Sequence, residues 1–133
     1  MFINNFDPVA FQILSFEIRW YSLAYILGII IGWILCKKIF IKNLDINQKF
    51  DDYITYLIVG IIIGGRLGYV LLYNFNYYIN NILDIFKIWQ GGMSFHGGLL
   101  GIIVASILFA KKNNQDLFVY TDLVSLVAPI GIF

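Results

Sequence analysis

Three side chains in this sequence have the chemistry to hold an anion and move a proton, and each lies within or at the edge of an apolar run. Arg66 stands in Gly64-Gly65-Arg66-Leu67-Gly68-Tyr69, His96 in Gly91-Gly92-Met93-Ser94-Phe95-His96-Gly97-Gly98, and Tyr21 directly follows Trp20. Arginine offers a planar fork of donors that fits phosphate. Histidine titrates near neutral pH and can act as a base. A tyrosine hydroxyl can orient an oxygen. Gly97 and Gly98 follow His96 at a Gly-rich helix entry, where backbone amides have no intrahelical partner and can face an anion. Arg66, His96 and Tyr21 are therefore candidates to hold a phosphate group together, with Gly97 and Gly98 as the candidate backbone part of that anion-binding set.

These residues need a frame, and the composition says which kind. The 133 residues are 60% hydrophobic and only 13% charged, with a mean hydropathy of +0.81. A water-soluble domain carries roughly a quarter charged residues. The expected fold class is all-α integral membrane. Net charge is +1, which gives no electrostatic case for nucleic acid as a partner. Cys36, the one cysteine, reads as a small buried or interfacial side chain. One His and one Cys near opposite membrane faces cannot share a ligand shell, so no metal site is expected, and no cofactor is called for. The N-terminus lacks the basic start, short apolar run and small-residue cleavage site of a removable signal peptide.

About 20 apolar residues cross a bilayer as a helix. Four segments qualify or nearly so, at about 20–36, 53–73, 93–110 and 117–133, and together they read as one partial transmembrane domain over 1–133. The last runs to Phe133 without a polar flank, which suggests truncation. Lys37, Lys38, Lys42 and Lys49 fall between the first two segments and Lys111 and Lys112 between the last two. The positive-inside rule then places the N-terminus and the 74–92 loop outside. Trp20, Tyr21, Tyr73, Tyr77, Tyr78 and Trp89 would form an aromatic belt on that side. Within the loop, Ile79, Ile82, Leu83, Phe86 and Trp89 recur at helical spacing, which predicts a short amphipathic helix on the outer surface. The pairs Gly28/Gly32, Gly60/Gly64, Gly64/Gly68 and Gly97/Gly101 predict close packing of the first three helices.

Depth brings the candidate residues together. Arg66 precedes Tyr73 by seven residues, roughly 10 Å below the outer interface. His96 is three residues into its span, and Tyr21 opens the first. The anion expected at that depth is a phospholipid headgroup. Plainer readings stand beside this one. Arg66 could snorkel or pair with a carbonyl, His96 could be a satisfied helix-end residue, and Tyr21 a belt residue. Asp122 reads as a residue that caps or starts the fourth helix.

Taken in series, Trp20-Tyr21, the Gly64–Tyr69 motif and the Gly91–Leu99 motif resemble the prolipoprotein diacylglyceryl transferase family, as do Asp7-Pro8 and Ala128-Pro129-Ile130-Gly131. The resemblance covers essentially the whole chain. It implies a multi-pass enzyme of the bacterial inner membrane that moves the diacylglyceryl group of phosphatidylglycerol onto the lipobox cysteine of a prolipoprotein. The family's motif histidine carries over to His96, its first-span tyrosine to Tyr21 and its Gly-Gly-Arg arginine to Arg66. The family continues into a Gly-Arg-x-Gly-Asn-type motif, a periplasmic head and further spans, none of which occurs in these residues. The 133-residue polypeptide alone is accordingly expected to be inactive. Two other classes remain open at this level. A small transporter or channel subunit would also use polar groups and Gly-rich half-helices, and a non-catalytic scaffold would use the glycines for packing alone.

Overall fold

The computed structural model describes residues 9–13 and 16–132; the side chains of residues 13, 16–19, 21 and 130–132 lie outside that description. Strands β1 (Val9–Ile13) and β2 (Phe16–Arg19) pair antiparallel, with an irregularity between Val9 and Phe11. The described residues after them are helices joined by short loops. Helix α1 (Trp20–Leu35) widens into a π-helical turn at Cys36–Phe40. Helix α2 runs Leu44–Leu72, α3 Phe75–Asn80, α4 Phe95–Asn113 and α5 Leu117–Ile132. The expected all-α membrane class holds for the membrane-crossing part, with three stretches long and apolar enough to cross a bilayer, Ser22–Phe40, Leu44–Leu72 and Phe95–Asn113; the strand pair ahead of α1 is an addition to it. The expected fourth span corresponds to α5, whose apolar stretch, Leu117–Pro129, is shorter than these.

The chain divides into two compact units, one of residues 1–40 with 123–133 and one of residues 41–122. In the first, α1 carries an almost unbroken apolar surface, and Gly32 lets the side chain of Val127 approach. Gly32 thus gives α5 a close approach to α1. Cys36 is fully buried and its thiol donates to the carbonyl of Leu123 at 3.3 Å.

The second unit is built on α2 and α4. Helix α2 begins nine residues before the expected apolar span because its first turn is well made. Asn43 caps it by accepting from the Asp45 amide at 2.9 Å, and Lys49 pairs with Asp45 one turn on at 3.3 Å. Gly60, Gly64 and Gly68 then meet Gly97 and Gly101 of α4 so closely that an added methyl at Gly64 would strike the carbonyl of Gly97 and lie 2.8 Å from the Cα of Gly101. This seam is backbone against backbone, as small residues at four-residue spacing permit. At its lysine-rich end the seam is closed by side chains. Tyr53, Phe109 and Tyr120 form a triangle with ring centroids 5.0–5.2 Å apart. The Tyr53 hydroxyl also shares a 3.0 Å hydrogen bond with that of Ser106. Helix α4 ends at Asn114, whose φ of 50° is the left-handed cap geometry. Asp116 then accepts from the Phe118 amide at 3.0 Å. Asp116, rather than Asp122, thus starts α5; Asp122 lies in the second turn of that helix.

The 74–92 segment differs from the expected continuous amphipathic helix. It is α3 followed by two 3-10 turns, Ile82–Phe86 and Ile88–Gln90. A continuous α-helix would give the carbonyls of Asp84 and Ile85 to amides four residues on. Here both accept from Arg66, at 2.8 and 2.9 Å, and the Asp84 carbonyl also takes the Lys87 amide three residues on at 3.2 Å, the bond of a 3-10 turn. The predicted apolar residues still point outward, with Leu83 79% and Phe86 72% exposed.

Candidate functional site

At the loop end of the α2–α4 seam lie two of the residues that the sequence reading grouped, Arg66 of α2 and His96 of α4. Ser94, 3% exposed, caps α4 by accepting from the Gly97 amide at 3.2 Å. Its own amide donates to the Gly65 carbonyl at 2.8 Å. The Gly98 amide is taken by the Ser94 carbonyl at 2.9 Å, the first intrahelical bond. The amides of Gly97 and Gly98 are thus engaged within the helix start. Those ahead of them, on Phe95 and His96, are the ones the geometry of a helix N-terminus leaves without an intrahelical partner. Gly97 instead supplies close approach, since a methyl on it would collide with the Gly64 carbonyl.

His96 is exposed and sits at one end of an open apolar groove of about 700 Å³ that follows the seam. Val59, Ile63 and Leu67 of α2 and Leu100 and Val104 of α4 are among its walls. The imidazole also meets the Phe95 ring edge-on at 5.8 Å.

Arg66 does not line that groove. It is 4% exposed, beneath the 84–92 segment. Its guanidinium donates to the carbonyls of Ile85 (Nε, 2.9 Å), Asp84 (Nη2, 2.8 Å), Gly91 (Nη1, 2.6 Å) and Gly92 (Nη1, 3.2 Å). The rings of Tyr78 and Tyr69 lie 5.3 and 5.9 Å from it, within cation–π range. Tyr78 is therefore buried, unlike Tyr73, Tyr77 and Trp89 of the expected belt. Beside it, the Asp84 carboxylate takes Lys87 Nζ at 2.6 Å and the Tyr77 hydroxyl at 2.7 Å. Those two donors hold its acid strength above the ordinary carboxylate, its pKa being lowered, and the same contact pushes the Tyr77 phenol up. Tyr21 belongs to α1 in the other unit, and its side chain lies outside the described residues.

The sequence reading missed Ser94 as a site residue. Its signal was available as a serine three residues ahead of Gly97 at the mouth of an apolar run. It also missed that Gly91 and Gly92 both take positive φ, 83° and 86°, which turns the chain sharply just before α4.

Comparison with known proteins fits this arrangement of motifs. The family profile described as prolipoprotein diacylglyceryl transferase matches residues 8–133. The chain is 50% identical over 135 residues to a phosphatidylglycerol–prolipoprotein diacylglyceryl transferase of Rickettsia canadensis (strain McKiel), covering 100% of this chain and 52% of that protein. It is 51% identical over 127 residues to the protein of the same name from Oleidesulfovibrio alaskensis, covering 93% of this chain and 48% of that one. A Rickettsia felis relative of that name is 47% identical over 135 residues, again 100% and 52%. The chain spans about half the length of the curated relatives it matches. With the profile spanning nearly all of its residues and the glycine-rich motifs set around one helix seam, the chain belongs to the prolipoprotein diacylglyceryl transferase family.

Proposed function

We propose that this chain supplies the N-terminal part of a diacylglyceryl transferase of the bacterial inner membrane, acting on phosphatidylglycerol and on the lipobox cysteine of a prolipoprotein. The observation that carries the proposal is His96 at the end of an apolar groove between two membrane-length helices. A lipid substrate needs that pairing of an apolar bed with a polar, proton-accepting group. The positive-inside distribution of lysines supports an N-terminus outside, with His96 and the 74–92 segment on that same side.

The chemistry then runs on named atoms. A cysteine thiol with pKa near 8.5 is only a few per cent thiolate at about pH 7. His96 takes the thiol proton. The thiolate sulfur bonds to the glycerol carbon that carries the phosphate ester, that carbon–oxygen bond breaks, and glycerol phosphate leaves with the bonding pair. The products are a thioether and glycerol phosphate. The leaving phosphate gains charge, which donors at the start of α4 can stabilise. The amides of Phe95 and His96 suit that role, since those of Gly97 and Gly98 are bonded within the helix start. The headgroup contact that the motif suggests for Arg66 would have to compete with its four donor contacts to backbone carbonyls, so the transfer step is assigned no contact from Arg66. Tyr21 is proposed to orient a headgroup oxygen.

The test uses a chimaera, this chain joined to the remaining C-terminal portion of the Rickettsia canadensis relative, in membranes containing phosphatidylglycerol and a lipobox peptide. Transfer should be measurable and should fall by about 10²-fold or more in His96→Gln, the range of a lost general base. Full activity in His96→Gln would remove His96 from the mechanism, and an inactive chimaera would count against the whole reading.

A further inference from the structure

We propose that Arg66 is a positioning residue: it latches the 84–92 segment to α2 and thereby fixes where the His96 end of α4 stands. The catalytic side of this proposal rests on the function just inferred; the structural side does not.

The geometry is that of a clamp closed on backbone. Arg66 reaches two stretches of chain at once, the 3-10 turn through Asp84 and Ile85 and the glycine pair Gly91-Gly92. The positive φ values of that pair set the backbone that brings both carbonyls to one guanidinium nitrogen. Gly92 also has no room for a side chain, because a methyl there would lie 2.5 Å from the Tyr69 ring. Tyr69 and Tyr78 hold the guanidinium from the sides. The residue before Arg66 holds the same strand of chain. Gly65 accepts from the Ser94 amide at 2.8 Å, and a methyl on Gly65 would lie 2.8 Å from the end of Met93. One turn of α2 therefore grips the chain at 84–85, at 91–92 and at 94. His96 is two residues further on.

The electrostatics separate this role from headgroup contact. The Asp84 carboxylate is occupied by Lys87 and Tyr77, so Arg66 is held by carbonyl dipoles. An anion seeking the fork of Arg66 would have to displace them. Lysine cannot replace the fork, since its three donors radiate from one atom whereas the carbonyls lie against three guanidinium nitrogens.

The experiment compares wild type, Arg66→Lys, Arg66→Gln and Gly91→Ala in the chimaera, reconstituted with phosphatidylglycerol. Gly91→Ala is the milder variant: its methyl meets open space, but the positive φ strains the carbonyl that Arg66 holds. Hydrogen exchange is read over residues 84–96, and kcat and KM per folded molecule. Both Arg66 variants should lose protection over 84–96 by about tenfold or more, what losing one hydrogen bond to a charged group produces. Gly91→Ala should fall between them and wild type, and decides the question if the Arg66 variants do not fold. In the kinetics, kcat should drop in both Arg66 variants with KM for phosphatidylglycerol little changed, the pattern of a lost geometry rather than lost substrate binding. Unchanged exchange would overturn the latch. So would a raised KM that Arg66→Lys restores, which is what direct headgroup contact predicts. Should the wild-type chimaera show no transfer, the functional reading fails, and exchange alone then decides whether the latch exists.

Discussion

Replacing Gly64 and Gly98 by alanine, one at a time, should have opposite consequences although the two residues belong to similar motifs on adjoining helices. At Gly64 the new methyl would strike the Gly97 carbonyl and lie 2.8 Å from the Gly101 Cα, against a preferred carbon–carbon separation of about 3.5–4.0 Å. Backbone cannot rotate out of the way, so α2 and α4 must part by roughly 1 Å. A gap of that size forfeits about a quarter to a half of the attraction of each atom pair across it. For about 40–60 pairs at ~0.1–0.2 kcal/mol each, the loss is on the order of 1–6 kcal/mol, and overpacking costs in cores usually fall at about 1–3 kcal/mol. At Gly98 the methyl would meet Ile61 at 4.0 Å, an ordinary contact. Both variants gain helix propensity of about 1 kcal/mol, so the difference between them is the seam itself, ~1–3 kcal/mol or about 5- to 150-fold in an opening equilibrium. Hydrogen exchange of α4 amides in lipid nanodiscs measures it. Equal protection in the two variants, or a larger loss in Gly98→Ala, would refute the backbone-to-backbone seam.

Two further outcomes follow from single contacts. Tyr53→Phe should cost about 1–3 kcal/mol by stranding the buried Ser106 hydroxyl, and Tyr53→Phe with Ser106→Ala should recover part of that; equal costs for the single and the double variant would show that the hydroxyl pair is not coupled. Asp84 has its carboxyl pKa depressed from the ordinary 3.8 by Lys87 and Tyr77. Its contribution is thus present above about pH 4 and is lost as pH falls through the lower folded value. A spin label at Leu83→Cys should stay immobile from neutral pH down to that window and loosen below it, and Asp84→Asn should be loose throughout; a label whose mobility ignores pH would discount the Asp84 contacts.

Much of this architecture is legible in the sequence because hydropathy and small-residue spacing are local signals. The helices of α2 and α4 and the Gly60/Gly64/Gly68–Gly97/Gly101 contact follow from periodicity alone, as does a helix start just ahead of His96. What is not legible depends on partners distant in sequence. The carbonyls that Arg66 captures are 18–26 residues away, and no local pattern announces them. The same capture explains why 74–92 is not one helix. Apolar residues at Ile79, Ile82, Leu83, Phe86 and Trp89 satisfy a three-residue turn about as well as a 3.6-residue one, and long-range hydrogen bonds decide between them. Gly32 makes a related point: spacing shows that a helix can be approached closely, but not that the neighbour is Val127.

The glycine seam also bears on how the protein meets bilayers of different thickness. Helix α2 has 29 residues and α4 has 19, about 43 and 28 Å of helix respectively; the first nine residues of α2 carry Asp45, Lys49, Asp51 and Asp52, so its apolar part and α4 each approach the hydrocarbon thickness of about 30 Å. Two helices in contact only through long side chains could slide past one another when that thickness changes. Here the Gly64 and Gly97 backbones interlock, so sliding is blocked and the pair must tilt together. Tilt swings the two ends of α4 in opposite directions, which makes the height of His96 above the bilayer midplane a function of membrane thickness.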